Sequence, residues 1–191
     1  MVDMNVTVYE PHHYPGGTKE VFRPKDWEMY GFTVYIGQHD IEVEQGDSAW
    51  FYSYKDGAMT GHSVKGFAAV HSEFCCTVIR GYKPPNREAV ISTTNLPYVN
   101  GCSTESLLPP IRLGDPTMQV LYMPPNSSEQ QHHIHSTARV VFVMGGDGTN
   151  IYGMNDPKEI PLNPMDVLVL DKMVPHHFVT GDNALFVSPF H

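Results

Sequence analysis

The sequence predicts an all-β protein, a sandwich or barrel. Two observations carry this. No long segment of the 191 residues places apolar side chains at i, i+3, i+4 and i+7, the spacing of an amphipathic helix. Short runs rich in β-branched and aromatic residues instead recur along the chain, separated by Gly, Pro, Asn and Asp. In order, the strand signals are FTVYI (32–36), DIEVE (40–44), SAWFYSY (48–54), CCTVIRGY (75–82) and AVIST (89–93). They continue as MQVLYM (118–123), ARVVFVM (138–144), TNIYGM (149–154), KEIPL (158–162), DVLVL (166–170), HHFVT (176–180) and ALFVS (184–188). PPN at 84–86 and again at 124–126, NP at 163–164 and GDN at 181–183 supply turns, and GGDG at 145–148 reads as a β-hairpin turn. Short turns of helix are expected only near 26–30 and 104–108.

Strand signals are closely and regularly spaced from Thr117 onward and looser before it, with an irregular stretch from Leu96 to Asp115. No linker or low-complexity tract interrupts the chain. One domain over 1–191 is expected, in which 1–116 extends or covers a barrel formed by 117–191.

The length allows a core without staples, and 41% hydrophobic residues make a globular composition. No apolar run approaches the ~20 residues of a membrane span. The opening MVDMNVTVYE has neither a basic nor an apolar segment, so no secretory leader is expected, and the glycosylation-like NVT (5–7) and NSS (126–128) are discounted. Cys75, Cys76 and Cys102 are an odd set without zinc-knuckle spacing. They read as reduced, buried thiols of a cytoplasmic protein, with adjacent Cys75 and Cys76 on opposite faces of a strand. A net charge of −9 without a basic patch argues against nucleic acid and anionic membranes as partners.

Chemistry concentrates in QQHHIHSTARVVFVMGGDG, residues 130–148. Read as the end of a strand, alternation puts Gln131, His133 and His135 on one face and His132 on the other. Two imidazoles at i and i+2 on an inner wall can reach one metal, and neutral imidazole suits Fe, Mn, Ni, Cu or Zn. DVLVLDKMVPHHFV offers a third ligand after a buried strand, where one of His176 and His177 faces inward. Three ligands with open positions describe a catalytic site rather than a structural one. His12 and His13 read as solvated, and His39, His62, His71 and His191 as isolated structural residues. HExxH, GxSxG and Walker A patterns are absent.

The stretch 133–178 resembles the cupin superfamily, small jelly-roll barrels (double-stranded β-helices) that usually hold one metal. Their first motif runs HxH, three or four residues, Glu, six residues, Gly. Here His133-Ile134-His135 is followed at that spacing by Arg139 in the glutamate's place and by Gly146. The second motif runs Gly, five residues, Pro-x-Gly, two residues, His. Residues 165–176 keep its length and its histidine, His176, but carry Met165 and Met173 for the glycines and Asp171 for the proline. GQHDIEVEQGDSAWF (37–51) also looks like a cupin strand pair, with Gly46-Asp47 in its turn, so an imperfect second half is expected there.

The resemblance implies a cupin-type jelly roll with an N-terminal β-rich extension, and His133, His135 and His176 as metal ligands. Parity puts Arg139 on their face, yet a guanidinium has no lone pair to give a metal. Three explanations follow. In the first, favoured here, the protein is a three-histidine dioxygenase holding Fe(II) (Mn, Ni or Zn being the alternatives), and Arg139 clamps the carboxylate of a small anionic substrate. In the second, Gln131, His132 or Tyr122 supplies a fourth ligand. In the third, the site has decayed to a binding module. A non-redox lyase or isomerase is the rival among enzymes. Val141, Val143, Val167, Val169 and Phe178 are expected to wall the site, and His132 and His177 to lie at the surface. Edge-strand pairing into a homodimer is a further expectation.

Overall fold

A computed structural model describes residues 10–25, 31–92 and 94–191. The first part of the described chain forms β1 (Pro11–Tyr14), β2 (Glu20–Phe22), β3 (Phe32–Ile36), β4 (His39–Val43), β5 (Ser48–Lys55), β6 (Ala58–Lys65), β7 (Ala68–Ser72), β8 (Cys75–Ile79) and β9 (Arg87–Val90). The rest forms β10 (Leu96–Pro97), β11 (Ser103–Leu108), β12 (Met118–Met123), β13 (Arg139–Gly146), β14 (Gly148–Tyr152), β15 (Lys158–Leu162), β16 (Val167–Leu170), β17 (His176–Val179) and β18 (Leu185–Phe190). Among the described residues the only helical element is the 3-10 turn Val99–Gly101. The helical turn expected at 26–30 lies outside the described residues, as do the NVT at 5–7 and Thr93.

The C-terminal strands form two facing walls. One is a seven-stranded sheet in the order β1-β16-β13-β18-β12-β11-β10, and the other is β15-β14-β17. The segment 127–135 borders β17 through bridges at Ser128–Val179 and His133–His176. The chain passes from β13 to β14 at the GGDG stretch, but the two strands do not pair. The predicted hairpin is therefore a corner between walls. Gly146 sits there at φ 73°, where a Cβ would run into the Ala184 carbonyl.

The N-terminal strands repeat part of this plan. β3-β8-β5 are neighbours within a six-stranded sheet, β2-β3-β8-β5-β6-β9, and β4 pairs with β7. β12-β18-β13 and the pairing of 127–135 with β17 stand in the same relation in the C-terminal roll. The two strands expected in 37–51 are thus present as β4 and β5, but they pair with β7 and with β6 and β8 rather than with each other.

Three apolar clusters follow from this arrangement. Val141, Val143, Leu168, Leu170, Phe178 and Val187 fill the C-terminal roll. Ile41, Val43, Ala49, Val70, Cys76 and Val78 fill the N-terminal one. Between the rolls, Val34, Trp50, Tyr52 and Cys75 of the six-stranded sheet meet Val120, Phe142, Val167, Val169 and Phe190 of the seven-stranded sheet. Cys75 and Cys76 lie on opposite faces of β8 as expected, and Cys75, Cys76 and Cys102 are free and buried.

Two further expectations are corrected. The helical turn near 104–108 is instead β11, paired with β12 and bulged between Ser106 and Leu108. Pairing, with burial of Leu107 and Leu108, overrides a weak local preference there. His12 and His13 are not solvated loop residues but lie in β1, which pairs with β16. His13 Nε2 donates to Asp166 Oδ2 at 2.9 Å, and Asp166 also accepts from the Gly16 and Asn163 amides at 2.8 and 2.9 Å.

Candidate metal centre

His133, His135 and His176 converge. One ring nitrogen from each lies within 4.8 Å of the others. They arrive from two places in the chain, His133 and His135 from the segment before β13 and His176 from the start of β17. The histidine segment is not the regular strand end that alternation assumed. It is an irregular run held to β17 by reciprocal backbone bonds between His133 and His176, 3.1 and 3.0 Å, and by Met173 N–H to His135 O at 2.8 Å. The i, i+2 relation survives because the bridge fixes His133 against His176.

The donor set fits a divalent transition metal. His176 Nδ1–H donates to Val174 O at 2.8 Å, and His133 Nδ1 lies 3.3 Å from Gln131 O. Those bonds place the proton on Nδ1 and leave the Nε2 lone pair free, the usual orienting arrangement for ligating histidine. All three imidazoles are held neutral at pH 7. Burial, first, then the Arg139 charge and the other histidines push His135 down to about 3. Burial chiefly pushes His176 down to about 4, and lowers His133 as well.

Arg139 opens β13 and faces inward with Val141 and Val143. It lines a cavity of about 220 Å³ together with His133, His135, Glu129, Tyr98 and Gln119. Its Nε is buried and has no hydrogen-bond partner among the described residues. Burial lowers the guanidinium to about 10, with Glu129 opposing, so it stays charged at neutral pH. Glu129 Oε2 is likewise buried and unpartnered. Burial raises this carboxyl to about 7, against the lowering effect of Arg139.

Several predicted members take other places. Tyr122 projects from the opposite face of β12 from Leu121, is 38% exposed and lines an outer groove, so it is no ligand. Gln131 is exposed, and it is Gln130 that lines the cavity, accepting from Tyr98 Oη at 3.0 Å. His132 Nε2–H donates to Gly153 O at 2.7 Å, which leaves its Nδ1 to accept from His177 Nδ1. His132 and His177 thus pair with each other, half-buried, rather than lying free at the surface. Val167 and Val169 face the contact between the rolls, and their neighbours Leu168 and Leu170 take the expected place in the wall.

Sequence reasoning missed Glu129, Tyr98 and His191. His191 lies close enough to Arg139 and His135 to interact with both charges, and burial with Arg139 pushes it down to about 4. His191 shares parity with Pro189 of the cavity and could have been found by extending the alternation of β18, but Glu129 could not, because Gln130 and not Gln131 lines the cavity and alternation fails in that segment. Nothing in the sequence marks Tyr98.

No protein-family model matches this chain, and no curated protein matches it in sequence. Solved structures do match. A protein from Pseudomonas aeruginosa described as glyoxylate-induced aligns at TM-score 0.58 and 11% identity over 84% of this chain and 73% of that one. The fold is an all-β jelly roll shared with that protein. A cupin 2 conserved barrel domain protein from Leptotrichia buccalis aligns over 97% of both chains, at TM-score 0.49 and 13% identity. A structure of DMSP lyases aligns at TM-score 0.42 and 17% identity, over 49% of this chain and 48% of that one, about half of each.

Proposed function

We propose that this cupin-type chain is a metal-dependent enzyme of the three-histidine kind, a dioxygenase acting on a small carboxylate. The observation that carries the reading is the convergence of three neutral imidazoles beside a guanidinium whose buried Nε has no hydrogen-bond partner among the described residues. His133, His135 and His176 would hold the metal, His176 and His133 through Nε2 with their rings fixed by the Val174 and Gln131 carbonyls. Fe(II) is the metal proposed; Mn, Ni or Zn would suit the same nitrogens. When bound, such a metal supplies a Lewis acid and, as Fe(II), electrons for O2. Because no carboxylate ligates, the metal keeps its full charge and the site favours an anion. Arg139 would bind the substrate carboxylate through a charge-assisted hydrogen bond. Leu121, Val141, Phe178 and Pro189 would keep the surroundings dry.

A non-redox lyase or isomerase is a second reading, favoured by Glu129. A buried carboxyl raised to about 7 in the same cavity is a group able to take a proton from a substrate carbon.

Metal analysis tests the centre. Wild type, purified without a histidine tag, is expected to hold near-stoichiometric transition metal that His133→Ala and His176→Ala both lose. No metal after anaerobic reconstitution with Fe(II), Mn(II) and Ni(II) would overturn the reading in favour of a binding module. O2 consumption with carboxylate substrates then separates the dioxygenase from the lyase.

A further inference from the structure

The cavity beside the histidines contains two buried polar atoms that no described residue satisfies, of opposite demand. Arg139 Nε–H needs an acceptor and Glu129 Oε2 needs a donor. Within the described residues the two side chains form no ion pair with each other, although each feels the other's charge. A buried polar group left without a partner costs more than an ordinary hydrogen bond returns. Two such groups in one cavity of about 220 Å³ are matched by a single guest that offers both complements.

We propose that Arg139 and Glu129 form a two-point recognition site for a small hydroxy-carboxylate. Arg139 takes the carboxylate, and Glu129 accepts the hydroxyl hydrogen. This rests on the reading of the cavity as a substrate site, and it narrows the substrate from any small acid to one carrying a hydroxyl. The chemistry around the pair agrees. Leu121 and Pro189 line the same cavity and accept a short carbon skeleton. Arg139 meets the guest from the start of β13, and Glu129 from the irregular segment whose amide donates to Phe178 O at 3.1 Å, so neither group depends on the other for its position. A simple carboxylate would satisfy Arg139 and leave Glu129 Oε2 bare. A site built to hydrogen-bond a hydroxyl discriminates strongly against the analogue that lacks it.

The test uses matched pairs that differ by one hydroxyl: lactate against propionate, and mandelate against phenylacetate. Binding is measured by calorimetry on metal-stripped full-length protein, so that chelation cannot supply the difference. The hydroxy acid of at least one pair is expected to bind about ten-fold tighter or more, the size of a hydrogen bond to a buried charge. Glu129→Ala should abolish that difference while keeping the simple acid's affinity. Glu129→Gln, which retains an acceptor of the same shape, should restore part of it. Arg139→Met should weaken both members of a pair alike. Equal binding within both pairs, no binding of any of the four acids, or discrimination that survives Glu129→Ala would each overturn the inference. Circular dichroism of each variant establishes that it is folded. Metal content measured on the same preparations separates the two claims: metal without discrimination sinks only the recognition pair, and discrimination without metal sinks only the metal centre.

Discussion

Arg139 shows most sharply how one residue changes a site. At the position where the cupin motif carries an acidic ligand, this chain carries a cation, which is half-buried and lines the same cavity as His133 and His135. Its charge helps hold His135 and His176 neutral, which suits ligation but opposes protonation. The sign for stability follows. Histidines whose folded values fall below the ordinary 6.5 bind fewer protons when folded, so their contribution is complete above 6.5 and is lost as pH drops toward 4 and 3. Glu129 acts in the other direction. Its folded value of about 7 lies above the ordinary 4.5, so the folded state binds the proton better, and that contribution is lost as pH rises from 4.5 through 7. Between about pH 4.5 and 6.5 the three lowered histidines outweigh the one raised carboxyl, so with respect to these groups metal-free protein should gain stability as pH rises to about 6.5 and lose a little between 6.5 and 7. Glu129→Gln should flatten the fall above about pH 6.5 in a plot of Tm against pH and steepen the rise below it. An unchanged alkaline slope would mean that Glu129 is solvated.

At the scale of elements, the turns before and after β16 preserve a backbone whose usual residue is gone. Met165 and Met173 occupy the two glycine positions of the second motif and both keep positive φ, 75° and 62°. Left-handed backbone costs a residue with a Cβ roughly 1–2 kcal/mol. Both side chains are partly exposed, at 38% and 47%, so little packing offsets that cost. Met173→Gly should raise stability by about 0.5–1 kcal/mol after the entropy glycine adds to the unfolded chain, read as a higher midpoint in urea. A lower midpoint would show that the thioether packs more than its exposure implies. The same scale explains what the sequence disclosed. MQVLYM and KEIPL match β12 and β15 residue for residue, because β-branched and aromatic runs between turn residues have little else to become. β6 went unseen although Asp56-Gly57, at φ 52° and 82°, is a strong hairpin signal leading from β5 into it. β1, β2 and β10 are short and carry Pro or charge, and only pairing makes them strands. The convergence of His133 and His135 was legible from their spacing, while the choice of His176 over His177 came with the family resemblance. Glu129 was not legible, because its neighbours leave regular alternation, with Gln130 turned in and Gln131 turned out.

At the scale of the whole molecule, the two rolls share a core. Trp50 is 1% exposed and packs on Phe190 with ring centroids 5.1 Å apart, and Tyr52 Oη donates to Ser188 Oγ at 2.9 Å across the same contact. Trp50→Ala should cost about 3–5 kcal/mol, the range for deleting a large buried aromatic. A fragment of residues 94–191 retains all three histidines but bares Val120, Phe142, Val167, Val169 and Phe190. It should aggregate or bind a hydrophobic dye, and a monomeric, cooperatively melting fragment would show that the N-terminal roll is dispensable.

That shared core has a consequence for behaviour on dilution. A barrel with one apolar outer wall must either find a second molecule or stay half-covered, and its integrity then falls with concentration. Here the covering sheet is tethered on the same chain, so its local concentration is fixed by the length of connecting backbone and not by how much protein is present. The wall behind the histidines stays covered in a single isolated molecule. The two halves also stand under different demands: one must keep three imidazoles in register, and the other need only keep its shape against Phe142 and Phe190. Substitutions inside the N-terminal roll that preserve that shape are free to accumulate without touching the chemistry.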